Sequence, residues 1–167
     1  LAETGAAAAA ARPLRRAKGV PPPLGVLMVA ALLMAALGAD AAPAPLKPVA
    51  AKASSVHEKY DARLAIDGVI SDASRWVSVA ASGPAWLEVQ LAATSKLAGV
   101  HLHTGYGEAD AIRAGRLQFW QGGQWRDIPS AAFANNDATA IALPFDDAVE
   151  VLTDRLRLLV TEGHEDR

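Results

Sequence analysis

Apolar and polar positions alternate strictly along Trp86–Leu91, with Leu87, Val89 and Leu91 on one side and Trp86, Glu88 and Gln90 on the other. Such period-two alternation marks a strand buried on one face, because successive side chains point to opposite sides of a sheet. The pattern returns at Leu97–Thr104, where Val100 and Leu102 oppose His101 and His103. It returns again at 117–121, where Leu117, Phe119 and Gln121 oppose Gln118 and Trp120. Gly122-Gly123 then leads into Gln124-Trp125-Arg126. A glycine pair between two such runs predicts a tight hairpin, since glycine reaches positive φ at no steric cost. Ala138–Leu143 and Leu156–Val160 predict two further strands. Turn-forming clusters separate the runs at Ser82-Gly83-Pro84, Gly105-Tyr106-Gly107, Asn135-Asn136-Asp137 and Asp146-Asp147. After Ser54 only Asp61–Ile66 has room for a helical turn or two, and no internal repeat is present. The second half of the chain therefore predicts an all-β antiparallel sandwich or barrel.

The first fifty residues follow other rules. Alanine-rich residues 1–11 are followed by Arg12, Arg15, Arg16 and Lys18, and then by an uncharged run from Leu24 to Leu37. Fourteen residues span only about 21 Å as a helix, short of a hydrocarbon core of about 30 Å. A basic start, a short apolar run and the small-residue exit Ala39-Asp40-Ala41 predict a secretory signal peptide over residues 1–41, cut after Ala41. Membrane contact then arises only through this leader, if it stays uncut. Residues 42–53, rich in Pro and Ala, predict an extended tether, leaving 54–167 as the folded domain. The first methionine, Met28, lies inside the apolar run.

Composition narrows the chemistry. Of 167 residues none is cysteine, which removes disulfides, thiolate metal sites and cysteine nucleophiles. The near-neutral net charge of −2 argues against nucleic acid as a partner, while from residue 42 onward 12 Lys and Arg face 16 Asp and Glu, a mildly acidic balance of −4 that points to no partner. Aromatic residues make up 5% of the chain, so each of its four tryptophans carries information.

Ser54-Ser55, Ala65-Ile66-Asp67-Gly68, Ser74-Arg75-Trp76 and Trp86–Leu91 occur in order. They are followed by Leu117–Trp120, Gly122–Trp125 and Asp154–Leu158. This ordered set, covering about residues 50–162, resembles the discoidin domain, also called the coagulation factor 5/8 type C domain, whose bacterial members include family 32 carbohydrate-binding modules. The resemblance implies a galactose-binding-like jelly-roll β-sandwich that is non-catalytic and grips its ligand with loops at one end. It implies a monomeric module of an exported protein, secreted, periplasmic or on the cell surface, tethering a polysaccharide-active enzyme to a glycan. An adhesion module that binds protein or cell surface, or an accessory domain packed on a catalytic one, is the alternative reading. Members of the family commonly finish with a closing strand whose glutamate reaches back to a metal. Here Gly163–Arg167 follow the Leu156–Val160 run instead, which implies a domain lacking its last strand and a protein that continues.

Two loops carry the candidate ligand chemistry. Gly105–Arg113 holds Tyr106, Glu108, Asp110 and Arg113, combining a flat apolar ring with groups able to grip adjacent hydroxyls. His57-Glu58-Lys59-Tyr60 is the second, with His57 and Tyr60 as its ligand-binding candidates. Either could instead be a solvated loop, with Arg113 paired to a nearby carboxylate. For a metal, Asp67, Asp72 and Ser74 sit in one tight loop of oxygen donors that suit a hard cation. The resemblance implies a structural Ca2+ held by Asp67, Ser74 and backbone carbonyls near Leu64 and Asp72. The alternative is an Asp67 that accepts hydrogen bonds from loop amides with no ion bound. The resemblance places Trp76 and Trp86 in the core, while Trp125, just past a hairpin, is read as covering the sheet. His101 and His103 share a strand face, but with no third ligand evident they read as wet-side residues. No nucleophile elbow, phosphate-cradling glycine loop or zinc-protease motif occurs, and no two carboxylates pair as acid and base.

Overall fold

The computed structural model describes residues 26–38, 41–79, 84–105 and 111–163, with backbone alone for 26–38 and 41–44. Nine strands and one short 3-10 turn lie within them: β1 (Val26–Gly38), β2 (Ala41–Leu46), β3 (Ala50–Ala53), the turn Ala62–Ala65, β4 (Trp76–Ser78), β5 (Ala85–His103), β6 (Ala114–Gln121), β7 (Gln124–Phe133), β8 (Ala140–Pro144) and β9 (Leu152–Glu162).

The alternation at Trp86–Leu91 and at Leu97–Thr104 belongs to one long strand. The first part of β5 pairs with β3 and β9, and its last five residues, Gly99–His103, pair with β8. The ladder with β9 breaks between Gln90 and Ser95, where the strand turns from one sheet to the other. The larger sheet runs β3-β5-β9-β6-β7, and every pairing in it is antiparallel. Leu87, Val89, Leu91, Leu117, Phe119, Leu156, Leu158 and Val160 point inward from it and meet Val100, Leu102, Ile128 and Trp76 in one core. Trp76 is fully buried, and its indole N–H donates to the Ser55 carbonyl at 2.9 Å. A buried indole needs such an acceptor to offset its desolvation.

The hairpin at Gly122-Gly123 forms as the sequence predicts, with φ of +62° and +82°. Two successive positive φ values give the primed turn whose twist matches that of the flanking strands. Gly115 serves packing instead: a Cβ there would sit 2.9 Å from the Leu159 carbonyl oxygen, so β6 and β9 approach closely only because it is glycine.

Three expectations need correction. Ala50–Ala53, read as the end of a tether, is a strand in register with Leu87–Gln90, and Val49 N–H donates to the Gln90 carbonyl at 2.8 Å. No proline lies within Ala50–Ala53 to remove ladder donors, and the small side chains of Ala51 and Ala53 pack on the core. Pro43 and Pro45 also lie in a strand, β2, which pairs with β1 alone among the described residues. Proline is tolerated there because an edge strand can lack donors. Trp86 is the third correction. It lies half-buried on the outer face of the larger sheet, as its place opposite to Leu87 in the alternation dictates.

The apolar run read as the core of a leader adopts strand conformation in β1. It pairs with β4 through Val26↔Ser78, Leu27↔Val77 and Met28↔Trp76, and with β5 through Val29↔His103, Leu33↔His101, Met34↔Val100 and Ala36↔Leu97. A short apolar run without period is compatible with either structure, so its composition alone does not choose.

Candidate functional site

The described feet of the two candidate loops, at Ser54 and at Arg113, lie at one end of the sandwich. Ser54 N–H donates to the Trp86 carbonyl at 2.9 Å, and Arg113 N–H to the Glu162 carbonyl at 3.1 Å. Trp86 in β5 faces Leu159 in β9, three residues before Glu162, so the first loop leaves and the second returns at neighbouring strand ends.

The loop at His57 is tied to β4. His57 N–H donates to the Val77 carbonyl at 2.7 Å, and Val77 N–H to the Tyr60 carbonyl at 3.3 Å. The chain turns tightly here, with Tyr60 N–H bonded back to the His57 carbonyl at 3.0 Å and Glu58 at φ +50°. The rings of His57 and Tyr60 lie nearly parallel, 6.5 Å between centroids. Arg75 holds its guanidinium 5.1 Å from the Tyr60 ring centre, and Lys59 its ammonium at 5.6 Å. Cations attracted to the ring quadrupole fix the orientation of a half-exposed tyrosine. Sequence reasoning named His57 and Tyr60 and missed Arg75, which lies fifteen residues away and is brought in only by β4.

Of the second loop, Tyr106, Glu108 and Asp110 lie outside the described residues, while Arg113 is half-buried at its foot. The stem is hydrogen-bonded on both sides. Ile112 N–H donates to the Thr104 carbonyl at 3.0 Å, and buried Thr104 donates its own N–H to the Thr139 carbonyl at 2.9 Å and its hydroxyl to the Ala138 carbonyl at 2.5 Å. Asn136 clamps both sides: its side-chain amide donates to the Ile112 carbonyl at 2.9 Å and the Ala138 carbonyl at 3.0 Å, and its backbone N–H to the Arg113 carbonyl at 2.9 Å. Its neighbour Asn135 takes φ +52°, a left-handed conformation that asparagine tolerates. Sequence reading marked Asn135-Asn136-Asp137 only as a turn, because nothing local reveals a bond to residues twenty-four positions earlier.

The oxygen-rich loop is closed by its own side chains. Asp67 accepts from Val69 N–H at 2.8 Å through one oxygen and from the Ser74 hydroxyl through the other. Asp72 turns its carboxylate to Arg75, with Nη1 at 2.5 Å. Leu64 is half-buried in the 3-10 turn, its N–H bonded to the Asp61 carbonyl at 3.1 Å. Asp67 and Ser74 thus meet through a hydrogen bond, and Asp67 also accepts from a loop amide, the contact that the ion-free alternative expects. Since Ca2+ takes six to eight oxygens, backbone carbonyls would supply most of the set. Among the described residues no group of three or more His, Asp or Glu gathers at one point. Exposed His101 and half-buried His103 lie opposite Ala142 and Ala140.

Asp61 caps the 3-10 turn. Its carboxylate accepts from the Arg63 backbone N–H at 2.9 Å and the Arg63 Nε at 3.0 Å. That backbone bond, helped by the side-chain bond, holds its pKa below the ordinary aspartate value.

Compared with known families, residues 50–166 match the F5/8 type C domain. Among solved structures, the chain is similar to chitosan-binding module 2 of a chitosanase/glucanase from Paenibacillus sp. IK-5, determined with chitotriose. Identity is 21%, with a TM-score of 0.57 over 72% of this chain and 88% of that one. It is also similar to the family 32 module of C. perfringens NanJ, determined with galactose, at 18% identity and a TM-score of 0.58, covering 68% and 82% of the two chains. A pectin-binding module shares 17% identity at a TM-score of 0.54, covering 71% and 81%. No curated protein matches the chain.

Proposed function

Since the chain belongs to the F5/8 type C domain family, we propose that it is a non-catalytic carbohydrate-binding module, and that its glycan docks on the loops around His57–Tyr60 and Thr104–Arg113. The observation that supports this most is the stem held by Asn136, which fixes the foot of a loop bearing Tyr106, Glu108, Asp110 and Arg113 on a rigid sandwich. Binding groups on rigid supports lose little entropy when a ligand arrives. Neighbours of the same fold include modules determined with chitotriose and with galactose and a pectin-binding module, which favours a glycan over a protein partner.

The module belongs to an exported protein and acts as a monomeric tether for a polysaccharide-active enzyme. Millimolar affinity, about −4 kcal/mol, suffices for this, because tethering raises the effective concentration of the enzyme at its substrate. A structural Ca2+ at Asp67 and Ser74, completed by carbonyls near Leu64 and Asp72, belongs to the same proposal and stabilises the loop without touching the glycan.

Titration of the full chain with galactose, chito-oligosaccharides and pectic fragments tests the reading. Saturable binding with no change in the sugar supports it; silence across neutral and acidic glycans, or turnover of any of them, overturns it.

A further inference from the structure

Three of the four tryptophans stand outside the core, half-buried on the outer face of the larger sheet. Strand registers align Lys52, Glu88, Arg157, Gln118 and Asp127 in one row across β3, β5, β9, β6 and β7. In the adjoining row Gln90 faces Arg155 and Trp120 faces Trp125. The Arg157 guanidinium lies between two indoles, 4.6 Å from the Trp86 ring centre and 4.1 Å from that of Trp125. Trp125 meets Trp120 edge-on at 5.2 Å, and Trp120 carries the Arg155 guanidinium at 4.3 Å.

The carboxylates of this face are already engaged. Glu88 stands 3.4 Å from Arg157 Nη2, and Asp127 accepts from Gln118 at 2.7 Å and from Arg116 at 3.2 Å. Arg155 differs, because its nearest carboxylate, Asp154, is 3.7 Å away and its side chain remains 32% exposed. Four cations (Lys52, Arg116, Arg155 and Arg157) therefore meet three carboxylates on this face of a chain whose net charge is −2. A guanidinium held over an indole keeps donors for a planar acceptor, while the adjoining ring offers an apolar platform.

We propose that this face is a second glycan-binding surface that takes a uronate-bearing, acidic polysaccharide, with Arg155 receiving a sugar carboxylate and the Trp120–Trp125 pair supporting the pyranose ring. Bidentate pairing of guanidinium with carboxylate supplies orientation as well as attraction. The flat sheet suits a linear chain, and the positive surplus rejects a cationic polymer. The surface shares a ligand class with the loop site but none of its residues, so each can fail without the other.

The test is electrophoresis of the full chain through native gels containing polygalacturonate, its methyl-esterified form or no polymer, followed by titration of any retarded species. The expected result is retardation by polygalacturonate alone, weakened at 0.5 M salt by screening on the order of a 3–5 Å Debye length. Arg155→Gln should weaken the interaction about tenfold, the scale of one lost charge-assisted pair of bonds. Lys96→Gln, at an exposed cation paired with Glu150 outside both rows and both loops, should leave it unchanged. Trp120→Ala serves only if its melting temperature matches the parent chain; Arg155→Gln, at a partly exposed position, keeps the test decisive otherwise. No retardation, equal retardation of Arg155→Gln, or equal loss in Lys96→Gln would each overturn the proposal, the last two leaving the face to a protein neighbour or to packing alone.

Discussion

The side-chain amide of Asn136 donates to the Ile112 carbonyl at 2.9 Å, joining the turn before β8 to the stem of the loop that starts at Thr104. The same amide reaches the Ala138 carbonyl, so one residue satisfies acceptors on two segments. Asn136→Ala leaves those acceptors without the donor and should cost about 1–3 kcal/mol. The sandwich should persist, while affinity for a loop-bound glycan falls several-fold as the stem loosens. Thermal melts paired with glycan titration check both parts; an affinity that stays fixed while stability drops would separate the clamp from binding.

Asp67 offers a cleaner probe of the metal proposal. Asp67→Asn keeps an oxygen to accept from Val69 N–H, so the turn survives, but removes the charge that would attract Ca2+. Ligand linkage adds about 2.7 kcal/mol at a hundredfold excess over the dissociation constant. The parent chain should therefore melt several degrees higher in Ca2+ than in EDTA, and the Asn variant at one temperature in both. Identical parent melts in the two buffers would remove calcium from the account.

Cutting after Ala41 removes β1, which supplies the sheet pairing of β4 among the described residues and flanks the Leu97–His103 part of β5. The 42–167 fragment should melt below the full chain, and amide exchange should quicken first at Trp76–Ser78. Equal melting and unchanged exchange there would show that β1 contributes nothing to stability.

Asp61 gives a pH dependence with a definite sign. Its folded pKa is depressed chiefly by the Arg63 backbone N–H, so its contribution is present above the unfolded value of about 3.8 and is lost as pH falls through the folded one. Asp61→Asn should flatten the acid side of the stability curve below about pH 4, leaving neutral pH little changed because the site is exposed. Superimposable acid limbs for the two chains would rule out this cap as a contributor.

The alternation of Leu87, Val89 and Leu91 was enough to read the larger sheet, because period two and burial are local properties of a strand. The Gly122-Gly123 turn was legible for the same reason. Ala50–Ala53 was not: alanine and a nearby proline carry little strand signal, and its pairing with β5 is set by residues more than thirty positions away. The face built by Trp86, Trp120, Trp125 and Arg157 was half-legible, since parity placed Trp86 and Trp120 outward while only the register of β9 brings Arg157 between its indoles. Asn136 and Arg75 went unseen because their roles are contacts across the fold rather than patterns along the chain.

The central claim is that loops at one end of a rigid sandwich hold a glycan without altering it. Amide NMR of the full chain during titration with galactose or chitotriose tests it most directly. The account predicts saturable shifts confined to residues 57–60, 104–113 and 135–138, with the sugar recovered intact. Shifts spread elsewhere with that end silent, or a sugar that is cleaved, would contradict it.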